Sequence, residues 1–172
     1  MRVRWLVLCL CLVAGGVNAK TPGEVEIGAS LRDVTMTGLS GSSKKISDYR
    51  GMPLVINIWA SWCGPCRSEM ASLERLAQRY HGKQFNVIGI STDDYRDRAQ
   101  AFLSQARTSF PHYIDANLVL ENMLGGDRIP LTLLVDAQGK VLAKYYGVEA
   151  WDSPPMVAAI GKAFKLKLST TK

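Results

Sequence analysis

Residues 54–60 form a nearly unbroken apolar run in which Asn57 is the only interruption. A run of this length predicts a strand buried on both faces. Past residue 66 the period changes. At about 100° per residue, Cys66, Met70, Leu73, Leu76, Ala77 and Tyr80 share one arc, while Arg67, Ser68, Ser72, Glu74, Arg75, Gln78 and Arg79 share the other, so residues 67–80 predict an amphipathic helix. Glu69 breaks the partition: it is the one charged residue on the apolar arc, a turn away from Cys66.

The remaining pattern supplies the other elements. Before the buried run, residues 20–28 are a polar lead-in, 31–36 predict an edge strand, 38–42 a turn, 44–47 a short return strand and 48–51 a tight connection. After the helix, 85–90 predict a buried strand, and Asp93-Asp94 predict the cap of a helix over 95–107. A short strand at 110–114 and a short helix at 116–124, stopped by Gly125-Gly126, come next. Residues 131–135 and 140–146 predict a hairpin. Ser153-Pro154-Pro155 open a last helix with Val157, Ile160, Phe164 and Leu168 at helical spacing. This order of elements predicts an α/β domain with a mixed sheet covered on both faces.

The first 19 residues stand apart. Arg2 and Arg4 precede an apolar stretch at 5–13, and Val17-Asn18-Ala19 offers small residues before a cleavage point, the organisation of a signal peptide. An uncleaved anchor is the competing reading, for which the stretch is shorter than the ~20 residues of a span; a lipidation site at Cys9 or Cys11 lacks the small residue before it. The expected organisation is therefore residues 1–19 as signal peptide and 20–172 as one domain; the 47% hydrophobic composition of the full chain suffices for one core. Removing Arg2 and Arg4 from 21 basic residues leaves 19 against 15 acidic, a formal +4, spread along the chain as a solvated surface and tail. With export this argues against nucleic acid as a partner.

Cleavage also removes two of the four cysteines and leaves Cys63 and Cys66. One pair at this spacing is not a structural framework; it is catalytic or metal-binding. Trp62-Cys63-Gly64-Pro65-Cys66 lies where the strand pattern meets the helix pattern. A thiolate on the first turn of a helix is stabilised by the dipole and by free N–H groups, which makes it a nucleophile near neutral pH. Glu69 has two readings: it snorkels to the helix edge or caps the first turn, or it is a partly buried carboxyl of raised pKa that carries a proton during disulfide exchange.

These residues bring in a family. The Cys pair after a buried strand, with Ile129-Pro130 just before a late strand, resembles thioredoxin. The stretch from Asn57 to Met70 resembles more narrowly the exported TlpA/ResA-like thioredoxins, thiol-disulfide oxidoreductases of the bacterial envelope. The resemblance covers nearly all of residues 25–167. It implies a thioredoxin-like fold with an added N-terminal β-hairpin and an inserted helix-strand segment at 95–114. It further implies Cys63 as attacking thiol, Cys66 as resolving thiol and Pro130 as a cis proline beside Ile129, whose backbone meets a substrate chain. Trp62, Gly64 and Pro65 would complete the substrate-contacting set. Asn57 stands where thioredoxins proper carry a buried aspartate, and Glu69 where this branch has its acid. Ala71 departs from the family's usual proline after Met70, which puts a helix kink there in doubt.

The activity implied is reduction of disulfides in exported partner proteins, by a monomer that needs no cofactor beyond the redox-active Cys63–Cys66 pair. Gly64-Pro65 is the dipeptide of reducing thioredoxins. A reductase in an oxidising periplasm draws electrons from a membrane donor of the DsbD or CcdA type. The alternative is an envelope copper-delivery or metal-binding module on the same pair. Zinc usually takes four ligands, and outside residues 1–19 only His81 and His112 are available to join the cysteines. His81 reads as a helix end and His112 as part of a strand, so no metal site is expected. A peroxiredoxin would carry Thr where Ala60 stands, and a non-catalytic adaptor has no use for a dithiol. Trp59 reads as core, and Trp151 either as a partner contact or as an aromatic packed where the last helix begins. Residues 126–132 lack the acid after Pro130 that the cytochrome c maturation branch often shows.

Overall fold

The computed structural model describes residues 22–169, so the signal segment at 1–19 lies outside the described residues. In chain order the elements are β1 (Thr35–Gly38), β2 (Lys44–Lys45), a 3-10 turn (Ile46–Tyr49), β3 (Leu54–Trp59), α1 (Gly64–Tyr80), β4 (Asn86–Ser91), α2 (Arg96–Ala106), β5 (His112–Ile114), α3 (Val119–Leu124), β6 (Leu131–Val135), β7 (Val141–Tyr146) and α4 (Pro154–Phe164). Seven strands form one sheet in the order β2-β1-β5-β4-β3-β6-β7. The pairs β3/β4 and β4/β5 are parallel; β1/β2, β1/β5, β3/β6 and β6/β7 are antiparallel. This is the mixed sheet that the order of elements predicted, in the thioredoxin-like arrangement that the resemblance implied.

All six residues of β3 are buried, as the near-continuous apolar run requires of a central strand. Its side chains alternate between two cores. Val55 and Trp59 join α1, α2 and α4 on one face; Leu54, Ile56 and Ile58 join α3, the 3-10 turn and Leu31 on the other. The second face is thus covered by one six-residue helix and by the N-terminal segment.

That segment differs from the expected strand at 31–36. Residues 28–31 bond instead to the start of β7, through Gly28 N to Val141 O at 2.8 Å and Leu31 N to Gly139 O at 2.8 Å. Only at Thr37 and Gly38 does this segment pair with β5, while Thr35 and Met36 pair with β2. The return strand stops at Lys45, because Asp48 Oδ2 accepts the Lys45 N–H at 2.8 Å and turns Ile46 and Tyr49 into the core. Two further expectations are corrected. Asp93 and Asp94 do not cap α2, which begins after Tyr95 with no side-chain cap. Ser72 and Glu74, on the polar arc of α1, are buried, because residues 107–110 and 147–152 cover that side; Glu74 Oε2 accepts the Ser109 N–H at 2.7 Å. Leu168 packs on the core from beyond the end of α4, which Lys165 closes in a left-handed conformation. With Ala71 in place of a proline, α1 runs 17 residues without a break.

One row crosses the sheet beneath α1: Thr132 on β6 opposes Asn57, Asn57 opposes Gly89, and Gly89 opposes His112. Gly89 makes room for the imidazole, since a Cβ there would lie 2.2 Å from His112 Nδ1 and 2.9 Å from Trp59 Nε1. His112 is buried with neither ring nitrogen hydrogen-bonded, and burial pushes its pKa down to about 3. The unfolded chain binds a proton here near 6.5, the folded chain only near 3, so this residue lowers stability as pH falls through that window. In urea titrations of wild type and His112→Leu at successive pH values, wild type is expected to lose stability relative to the variant by up to ~1.4 kcal/mol per pH unit below 6.5. A pH-independent difference would contradict this.

Candidate active site

Four residues, 60–63, carry the chain from β3 to α1, and a buried carboxylate fixes their course. Asp93, 1% exposed, accepts Ser61 N at 2.9 Å, Ser61 Oγ at 2.6 Å and Ser91 Oγ at 2.7 Å. The N–H of Thr92 donates to Trp59 O at 2.9 Å, so the ends of the two parallel strands are bonded together just before the cysteines.

Cys63 is the N-cap of α1. Its Sγ accepts the Cys66 N–H at 3.2 Å, and Pro65 lies in the first turn, where its fixed φ suits a helix start and no donor is lost. The helix therefore begins at Gly64, three residues before its apolar periodicity, and Cys63 and Cys66 close a disulfide across its first turn with Cα atoms 5.3 Å apart. Cys66 has no exposed surface; Cys63 is 6% exposed, beside Trp62 at 68%. Across from them the Ile129-Pro130 bond is cis, and Ile129 O lies 3.9 Å from Cys63 Sγ. A groove lined by Trp62, Thr92, Asp94, Leu118, Glu121 and Ile129 opens on the side of the active-site turn that carries Trp62.

One turn after Cys66, Glu69 is 1% exposed. The snorkelling and first-turn capping readings are therefore excluded. Its Oε1 accepts Asn57 Nδ2 at 2.8 Å, and its Oε2 accepts Trp151 Nε1 at 3.1 Å and the Glu149 N–H at 3.2 Å. Burial raises its pKa above the ordinary 4.5, and the bonds from Trp151, Asn57 and the Glu149 backbone offset part of that rise. Asn57 Nδ2 also donates to Thr132 Oγ1 at 2.9 Å. Ser72 Oγ, which donates to Glu69 O at 2.8 Å, accepts the Trp151 N–H at 3.2 Å.

The structure brings together Trp62, Cys63, Gly64, Pro65, Cys66, Ile129 and Pro130, and sets Glu69 under the first turn of the same helix. Trp59 and Trp151 are both fully buried. His81 ends α1, fifteen residues from Cys66 and so roughly 22 Å along the axis, while His112 packs on Trp59 and Phe110. Three residues escaped the sequence reading. Trp151 meets Glu69 across 82 positions, with no local pattern to announce it. Thr132 becomes visible once β6 is registered against β3. Asp93 gave a signal, an acid just past a buried strand, which fits a helix cap equally well.

A dithiol that cycles through this disulfide moves two electrons at a time by sulfur exchange, and a thioredoxin-like sheet carrying it defines a thiol-disulfide oxidoreductase. Comparison with known proteins places it more narrowly: the Redoxin family model matches residues 26–160, and the chain belongs to that family. It is similar to thiol-disulfide oxidoreductase ResA of Bacillus cereus, 26% identical over 153 residues that cover 85% of this chain and 88% of the relative. The ResA of Geobacillus thermodenitrificans is 28% identical over 146 residues, 81% of this chain and 83% of that one. Among solved structures, a Chlorobium tepidum protein described as a thiol:disulfide interchange protein DsbE superposes with a TM-score of 0.75 at 28% identity, covering 81% of this chain and 99% of its own. The protein is a thiol-disulfide oxidoreductase of the Redoxin family, similar to these ResA and DsbE proteins.

Removing the Asp93 carboxylate leaves the half-buried donors of Ser61 and the buried hydroxyl of Ser91 without their acceptor. Asp93→Ala is expected to cost about 3 kcal/mol in urea unfolding of the oxidised protein. A loss under about 0.5 kcal/mol, the range of an ordinary surface change, would show that the turn holds itself.

Proposed function

We propose that this protein reduces disulfides in exported partner proteins outside the cytoplasm, with Cys63 as nucleophile, Cys66 as resolving thiol and Glu69 as the group that manages the proton of Cys66. The observation that carries the reading is the disulfide across the first turn of α1, with Cys63 on the open side and Cys66 sealed behind it.

The reaction balances as two exchanges. The Cys63 thiolate, stabilised at the helix start, attacks one sulfur of a substrate disulfide; that bond breaks and one substrate thiolate leaves. Cys66 gives its proton to Glu69 and its thiolate attacks Cys63 Sγ. The mixed disulfide breaks, Cys63–Cys66 forms, and two electrons have passed to the substrate, whose second thiolate takes up a proton. Ile129, beside Cys63 Sγ, offers its backbone to an extended substrate segment, and Trp62, Gly64, Pro65 and Pro130 line its approach. Of the two cysteines only Cys63 shows any surface, which supports Cys63 as the first to attack.

The Gly64-Pro65 dipeptide supports the reducing direction. Electrons would come from a membrane donor of the DsbD or CcdA type, and residues 1–19 would act as the signal that exports the remaining domain as a monomer. Among the described residues no helix is long and apolar enough to cross a membrane.

Cys66→Ser is expected to accumulate a mixed disulfide with its partner, visible on a non-reducing gel and identifiable by mass spectrometry, while Cys63→Ser traps nothing and leaves insulin intact. Trapping through Cys66 in the Cys63 variant would reverse the assignment. Glu69→Gln should slow resolution roughly 10²-fold and remove the limb of the pH–rate profile that belongs to the raised carboxyl. An unchanged profile would take Glu69 out of the mechanism.

A further inference from the structure

Glu69 is surrounded by donors. Asn57 Nδ2 serves Oε1, while Trp151 Nε1 and the Glu149 N–H serve Oε2, so each of these three hydrogen bonds reaches the carboxyl from a donor. This set suits a carboxylate. A carboxylic acid in the same place needs an acceptor for its own proton, and burial removes bulk water as the candidate. Indole and peptide N–H groups only donate; a primary amide both donates and accepts. Of the three partners, Asn57 alone can change its role.

The surroundings of Asn57 fit such a change. Its Oδ1 is buried without a partner, while Nδ2 carries two bonds, to Glu69 and to Thr132 Oγ1. A half-turn about the last side-chain bond exchanges the two atoms. Oδ1 then meets a protonated Oε1, and the Thr132 hydroxyl, which can give as well as take, rotates to donate to the same oxygen. We propose that Asn57 is a positioning residue for the proton of Glu69: its amide turns over when the carboxyl is protonated and turns back when it ionises, so that the acid finds a matched partner in both states.

The inference rests on the proton-carrying role assigned to Glu69 above. No covalent bond is involved; the proton arrives and leaves on Oε1. The titratable neighbours are few: Cys66 one turn earlier on α1, and Glu149, whose charge opposes ionisation of Glu69. His112, two strands along the same row, stays neutral above about pH 3.

The test is NMR of the isotope-labelled chain with the disulfide intact, so that neither thiol titrates. The Glu69 carboxyl carbon and the Asn57 side-chain amide are followed across pH. One shared midpoint above 4.5 is expected, and below it the Asn57 amide protons lose their contacts to Thr132. In Glu69→Gln the new amide gives its N–H to Asn57, so the low-pH pattern should appear at every pH. An Asn57 amide that keeps one set of contacts through the Glu69 titration overturns the proposal. So does a Glu69→Gln variant with the high-pH pattern, or a Glu69 that stays ionised until acid unfolding. Insulin reduction by the same variant separates the two readings: an unchanged pH profile removes Glu69 from catalysis, whereas a changed profile with a fixed Asn57 amide removes only the turnover.

Discussion

The structure depends on making one buried acid tolerable. Putting a carboxyl into a protein interior costs several kcal/mol unless hydrogen bonds replace its water. The bonds to Glu69 come from partners 12, 80 and 82 positions away in the chain. The first needs β3 and α1 together, and the other two need the segment before α4 as well. Ser72 reinforces the junction by bonding Glu69 O on its own helix and the Trp151 N–H beyond it, and Arg75 adds a bidentate pair to Asp152 at 2.7 and 3.1 Å. The proton chemistry assigned to this site is therefore available only to the folded chain.

Two acids divide the support of the dithiol. Asp93 fixes backbone, holding the turn that leads into Cys63 with three charge-assisted bonds. Glu69 is fixed by its surroundings, in a place where burial and donors pull its ionisation in opposite directions. Beneath α1 the row Thr132, Asn57, Gly89 and His112 sets three polar side chains on a face otherwise filled by Val55, Trp59, Val87 and Leu134. The one interruption in an apolar strand, Asn57, turns out to be the point where that row meets the acid.

Much of this was legible in the sequence because it is local. The buried strand follows from a continuous apolar run, the helix and the misplaced charge at Glu69 from a period of 3.6, and the Cys pair from its spacing at their junction, all within 27 residues. The cis Pro130 needed the family resemblance, since a trans bond is the default for any X-Pro sequence. What stayed hidden is non-local. Trp151 reads as one more core aromatic until its indole N–H is seen at Glu69 Oε2. Ser72 and Glu74 belong to the polar arc of an isolated helix and are buried only because two loops fold over them. Asp93 satisfies the sequence signature of a helix cap while bonding in the opposite direction, back to the active-site turn. Residues 31–36 carry strand propensity, yet the chain spends part of that stretch crossing from the β7 edge of the sheet toward the β5 edge.

That crossing has a bearing on solubility. An open sheet ends in two rows of unpaired backbone groups, which invite strands from other molecules. Here the outermost strand on one side is two residues long and both are lysines, Lys44 and Lys45, while the start of β7 on the other side is occupied by residues 28–31. Both margins of the sheet are therefore blunted against strand addition, one by charge on a strand too short to template another and the other, at the start of β7, by the chain's own residues 28–31.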